Sequence, residues 1–200
     1  MVNALTAKWL EVVRLVLKPS PVGNGVTNFL SLNLLEYTNM DTVKVRRVIT
    51  GHDDTGRAVV KIDETCSHFK EGRPNGFSCN IWTTDTVPAD NSSDKDMGMR
   101  EGKFTMIENG SVFRILDFKP GVAKRVHRTD SIDYIVVMSG EIDMELEEGE
   151  EVHLKAGDVM VQRGTVHNWI NRGTESCVMA VILIHARSAE AGGKTLGPFG

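Results

Sequence analysis

The chain has 200 residues, 40 % of them hydrophobic and 25 % charged, which is material for one globular domain with an appendage. A net charge of -4 gives no basic footprint, so nucleic acid is not expected as a partner. No apolar run approaches the roughly 18 residues a membrane span needs, and the start of the chain is a poor secretory signal, so a cytoplasmic protein is expected.

Leu5, Trp9, Leu10, Val12, Val13, Val16 and Leu17 recur mostly at spacings of three and four, predicting an amphipathic helix that Pro19 and Pro21 end. Residues 1–40 are therefore read as an N-terminal arm or leader, partly helical. From Thr42 the texture changes to short runs rich in Val, Ile, Phe and Thr, parted by Gly, Asp and Asn. Residues 43–50 and 57–62 read as a hairpin whose loop carries His52, and 77–84 as a strand. Residues 87–102 are polar and read as a long surface loop. Residues 103–107 and 111–118 pair around Asn109-Gly110.

Six further strands follow, at 132–139, 141–146, 151–154, 158–162, 167–171 and 177–185. The run from Glu141 to Leu146 alternates strictly, acidic on one face and apolar on the other, so that strand has one wet side. Residues 188–200 carry four glycines and little apolar content and read as a flexible tail. The expectation is an all-β domain over residues 41–187, with about ten to twelve strands in a sandwich or barrel. Cys66, Cys79 and Cys177 are odd in number and lack any CxxC spacing. That argues against a disulfide framework or a structural zinc site, and for free thiols in a reducing compartment.

Three residues far apart in sequence stand out between Gly121 and Asn171: His127, Asp133 and His167. Residues two apart on a strand share a face, so His167, Trp169 and Asn171 point together, as do Asp133, Ile135 and Val137. An aspartate on an apolar strand face is costly unless paired or bound to a cation. Two histidines and one carboxylate form the facial set that holds non-haem iron(II), and the same ligands suit manganese, zinc or nickel. A metal-free barrel with a carboxylate–histidine hydrogen bond is the alternative from the same residues.

These residues resemble the two signature motifs of the cupin superfamily. Gly121, five residues, His127, then Asp133, six residues and Gly140 follow the frame G-x5-H-x-H-x3,4-E-x6-G. Gly157, Gln162, Gly164, His167 and Asn171 are similar to G-x5-P-x-G-x2-H-x3-N. The sequence departs from the frame at Thr129, where the family has its second histidine, and at Asp133, where it has glutamate. The second motif is one residue short, and Gln162 replaces its proline. The resemblance is to small single-domain cupins of the cupin 2 type, with fungal and bacterial relatives in secondary metabolism. It covers residues 110–185 well and 45–90 loosely.

The resemblance implies a double-stranded β-helix (jelly-roll) barrel and an oxidoreductase- or dioxygenase-like enzyme acting on a small aromatic or carbonyl-bearing molecule. A decarboxylase, dehydratase or isomerase is one alternative, and a non-catalytic ligand-binding barrel another. His127, Asp133 and His167 would hold a divalent metal, Fe2+ as first choice and Mn2+, Zn2+ or Ni2+ otherwise. Asp133, His167 and Trp169 would act in catalysis, with Arg114, Arg163 and Trp169 on the substrate. Cupin barrels often dimerise, so a homodimer is expected.

Overall fold

The computed structural model describes residues 43–200, and the helix expected near the N-terminus lies outside them. Thirteen strands occur among the described residues. The first pair, β1 (Arg46–His52) and β2 (Ala58–Thr65), is the expected hairpin. Its turn is held by Asp53, whose Oδ1 accepts from the amides of Thr55 (3.0 Å) and Arg57 (3.1 Å). His52 ends β1 instead of sitting in the loop.

Next come β3 (Lys70–Arg73), β4 (Gly76–Thr84), β5 (Ser111–Phe118), β6 (Ser131–Ser139), β7 (Glu141–Glu145), β8 (Glu151–Lys155), β9 (Val159–Arg163), β10 (Asn168–Ile170) and β11 (Cys177–His185). They form a six-stranded sheet ordered β3-β4-β5-β11-β6-β9 and a three-stranded sheet ordered β10-β7-β8. All pairings within the two sheets are antiparallel. The all-β sandwich or barrel expected from the sequence is a jelly roll, as the resemblance implied.

The inner faces meet where the alternation predicts. Val112, Ile135, Val137, Met179, Val181 and Leu183 from the large sheet pack with Ile142, Met144, Leu154 and Trp169 from the small one. Burying each such aliphatic side chain contributes about 1.5–3 kcal/mol. The β7 stripe behaves as expected, with Ile142 and Met144 buried and Glu141 exposed. Gly140, which turns the chain from β6 into β7, has φ +73°, and a Cβ there would collide with the Ser176 carbonyl oxygen. The outer face of the large sheet carries a second apolar cluster, Cys66, Cys79, Ile81, Ile115 and Val178, covered by Val43, Val45 and Phe69 beside the β1–β2 hairpin.

Three segments differ from expectation. Residues 103–107 form no strand, although Phe104 and Ile107 still plug the core. Both edges of β5 are already taken, by β4 and β11, so the run has no backbone to pair with. Strand β3, Lys-Glu-Gly-Arg, has no strand-like composition and exists because the turn at Asn75 (φ +61°) folds it onto β4. The tail is ordered. β12 (Ala189–Ala191) and β13 (Lys194–Leu196) form a hairpin around Gly192 and Gly193, both at positive φ, and Phe199 bridges to Arg128. The glycines make a tight turn here, not a loose end. Among the described residues no helix is long and apolar enough to cross a membrane.

Candidate active site

His127 and His167 face one another across an isolated antiparallel bridge. Each donates its amide to the other's carbonyl, at 3.1 and 3.0 Å. This brings the two motifs together and sets the imidazole centroids 4.2 Å apart. The bridge is anchored on both sides by the asparagines of the second motif. Asn168 Oδ1 accepts from Arg125 N (2.9 Å), and Asn171 Nδ2 donates to the carbonyls of Phe118 (2.7 Å) and Glu175 (2.9 Å).

Both rings lie in a cavity of about 220 Å³ with Asp133, Arg114, Gln162 and Trp169. The volume is below the ~300–1,000 Å³ of drug-sized sites, which suits a single ring bearing one or two polar groups. Apolar walls come from Phe77, Leu116, Phe118, Ile135, Val181 and Leu183. Trp169 is 4 % exposed and meets His167 edge-on at 5.8 Å.

Both histidines are held neutral. Burial pushes each down to about 4, helped by the nearby guanidiniums of Arg125 and Arg73 and, at His167, by His127 itself. Their Nδ1 atoms face backbone carbonyls, Arg125 O for His127 and Thr165 O for His167, both at 3.1 Å. The proton therefore sits on Nδ1 and the Nε2 lone pair is free, the tautomer a metal-ligating histidine adopts.

Gln162, opposite Asp133 in the β6–β9 register, places its amide 2.6 Å from His167 Nδ1. The amide nitrogen faces Nδ1 and Oε1 is buried without a partner; turning the amide over would let Oε1 accept from Nδ1–H.

Asp133 is 5 % exposed, and Ser131 Oγ donates to its Oδ1 at 2.6 Å. Thr129 Oγ1 lies 2.8 Å from Ser131 Oγ, so the residue at the family's second histidine position buttresses the carboxyl. Burial pushes Asp133 up to about 6 against that hydrogen bond and the Arg114 charge. Arg114 is itself pushed down to about 10 by burial, with Asp133 opposing. Burial outweighs the mutual attraction in both groups, and no salt bridge joins them. Arg114 donates to Phe104 O (3.1 Å), while its Nε and Arg73 Nη1 are buried and unpaired.

The structure thus brings His127, Asp133, His167, Trp169 and Arg114 to one pocket. It does not bring Arg163, which β9 alternation turns outward to solvent while Gln162 points in. Arg128 is occupied by the C-terminal segment, donating to Gly197 O (2.8 Å) and stacking on Phe199. Tyr134 is 45 % exposed. His153 is exposed and meets Asp143 at 2.8 Å.

Sequence reasoning missed Gln162, Arg73 and Arg125 as site residues. No sequence signal gave Gln162, whose side depends on the register of β9 against β6, and Arg73 comes from the unforeseen β3. It also missed a second cluster, Cys66, His68 and Cys79, whose donor atoms all lie within 4.8 Å of one another. Among the described residues no other three His, Cys, Asp or Glu donors are so close. As placed, Asp133 stands off the histidine pair.

A small antiparallel jelly roll whose two sheets juxtapose motif histidines defines the protein class. Residues 114–184 match the cupin domain family. The chain is 33 % identical over 175 residues to the cupin-domain-containing oxidoreductase fogC of Aspergillus ruber, covering 84 % of this chain and 86 % of that one. It is 40 % identical over 160 residues to the phomopsin biosynthesis cluster protein D of Diaporthe leptostromiformis (76 % and 84 % covered). It is 36 % identical over 128 residues to the cupin-domain-containing oxidoreductase virC of Hypocrea virens (62 % and 66 % covered). The chain belongs to the cupin family.

Proposed function

We propose that this cupin is an oxidoreductase-type enzyme of secondary metabolism, acting on a small aromatic or carbonyl-bearing acid and dependent on a divalent metal. The observation that carries the reading is the histidine pair: two neutral rings, anchored through Nδ1, with both Nε2 lone pairs free in a buried pocket. The donor chemistry fits a cation. A desolvated carboxyl and two neutral imidazoles become favourable together when a positive charge lies among them. His127 and His167 would hold the ion, with Asp133 as third ligand once Oδ1 leaves Ser131. When bound, iron(II) supplies redox chemistry, and a redox-silent ion polarises a carbonyl.

The chain's own groups define the substrate. The unpaired guanidinium atoms of Arg114 and Arg73 favour a carboxylate, and Phe77, Phe118 and Trp169 offer apolar faces to a ring. With its amide turned so that Oε1 meets Nδ1, Gln162 would keep the His167 proton there.

A second reading is favoured by the 2.6 Å Ser131–Asp133 bond and the Asp133 pKa of about 6. Asp133 is then a metal-free acid–base group that takes a proton from the carbon next to a carbonyl, with Arg114 beside the resulting enolate. Metal analysis of protein purified without a histidine tag separates the two. The first reading expects the metal content to fall by one equivalent in a His127→Ala/His167→Ala double variant. It also expects turnover of aromatic keto acids, followed by oxygen uptake and product mass, to fall at least about 100-fold in His167→Ala. Unchanged metal content in the double variant, with phenylpyruvate–deuterium exchange that survives a chelator and is lost in Asp133→Asn, would replace it with the second.

Self-association belongs to the same proposal. Tyr134, Met138, Val159 and Val161 form an exposed apolar face on β6 and the edge strand β9. Light scattering is expected to give twice the chain mass, and Val159→Glu/Val161→Glu to halve it.

A further inference from the structure

We propose that Cys66, His68 and Cys79 form a second metal site, thiolate-rich and suited to zinc(II), on the outer face of the six-stranded sheet. Their donor atoms already lie within 4.8 Å of one another, and His68 Nε2 is 3.2 Å from Cys79 Sγ. Four ligands at about 2.0–2.3 Å from a tetrahedral zinc require spacings of this order.

The three donors stand on fixed backbone. Cys66 and His68 lie two apart in the irregular stretch between β2 and β3, where the intervening Ser67 is exposed and their donor atoms come together. The Cys66 amide is tied to Val45 O at 2.8 Å. Cys79 is fully buried in β4, registered opposite Ile115 of β5.

The surroundings suit a neutral complex. Val45, Phe69, Ile81 and Ile115 pack around the sulfurs, and two thiolates cancel the charge of one zinc(II), which an apolar setting requires. His68 and Asn80 also line a separate cleft of about 480 Å³, from which a water would complete the coordination. His68 Nε2 now lies 2.8 Å from Asn80 O, so that nitrogen carries the ring proton. On loading, the proton shifts to Nδ1, Nε2 turns its lone pair to the ion, and both thiol protons pass to solvent. Zinc(II) enters and two protons leave, with no change of oxidation state.

The test uses the full chain, expressed without a tag. The His127→Ala/His167→Ala variant is expected to keep one equivalent of zinc after dialysis, and Cys66→Ser/Cys79→Ser on that background to retain at least tenfold less. Cobalt(II) exchanged into the site is expected to show a sulfur-to-cobalt charge-transfer band, which the nitrogen and oxygen donors of the barrel pocket cannot give. Should the serine variant fail to fold, thiol titration of the wild type decides instead: zinc is expected to slow labelling of two of the three cysteines at least tenfold. A metal-free barrel variant, a cobalt adduct without the sulfur band, or a Cys66–Cys79 disulfide in freshly purified protein would each overturn the proposal. None of these outcomes depends on the barrel chemistry.

Discussion

Taking the metal-stripped protein from about pH 7 to about pH 4.5 is expected to remove about 3 kcal/mol of folding stability. His127 and His167 are lowered by burial from 6.5 to about 4. Between those values the unfolded chain binds protons that the folded chain refuses. The stability they contribute is complete above 6.5 and is lost as pH falls towards 4. A shift of that size is worth about 3 kcal/mol per histidine, of which about 2.4 is expressed by pH 4.5.

Asp133 works in the opposite sense. Burial raises it from 3.8 to about 6, so its ionised form burdens the folded state above that pH. The burden is about 3 kcal/mol at neutrality, and about 2 of it is returned on acidification, which leaves the net loss near 3. Urea unfolding followed by tryptophan fluorescence across this range measures it. Asp133→Asn keeps an acceptor for Ser131, so it is expected to stabilise the protein by about 2 kcal/mol at pH 7 and to steepen the acid loss. A flat profile would mean that the pocket is wet and the histidines are solvated.

Asp96→Ala is expected to destabilise the chain by about 3 kcal/mol, because it strands a buried cation. The Arg47 side chain is 1 % exposed, and Asp96 grips it at both ends of the fork, at 2.9 and 2.7 Å. Glu64 adds a third contact at 2.6 Å, but it is 44 % exposed and shares its charge with water. Asp96 Oδ1 also accepts from Gly98 N at 2.9 Å, capping the short 3-10 turn Met97–Met99. Removing the carboxylate therefore frees both the guanidinium and the turn.

Asp96→Asn keeps the cap and loses the charge, and its effect should fall between wild type and alanine. Gly98→Ala probes the same junction sterically: its Cβ would press on Arg47 Nη1 and lie 2.6 Å from Ile81 O. Thermal unfolding of the three variants ranks these contributions. The turn also borders the cleft beside His68, so unmooring it exposes that cleft as well as the Arg47 pair.

Several features were legible in the residues alone. Period-two alternation gave β6 and β7 nearly to the residue, because one face of each is buried and the other is not, while β5 and β11, covered on both faces, read as apolar runs. The positions of Gly121, Gly140 and Gly157, all at positive φ, marked the turns that let separate strands return to one place. His127, Asp133 and His167 could be named as candidates because polar groups on apolar strand faces need a reason to be there.

What they do to one another was decided only by tertiary structure. The sequence does not say that His127 and His167 share a backbone bridge, or that Ser131 holds Asp133 off the pair. Nor does it say that Gln162 enters the pocket while Arg163 leaves it, since a one-residue change of register would reverse the two. The Cys66, His68 and Cys79 cluster was invisible for the same reason. Its donors come from an irregular stretch and a strand on the far side of a turn, and only the stacking of the β1–β2 hairpin region against the large sheet brings them together. Side-chain pattern along a strand reports which face is buried. Which residues meet across that face depends on pairing and register, which long-range packing sets.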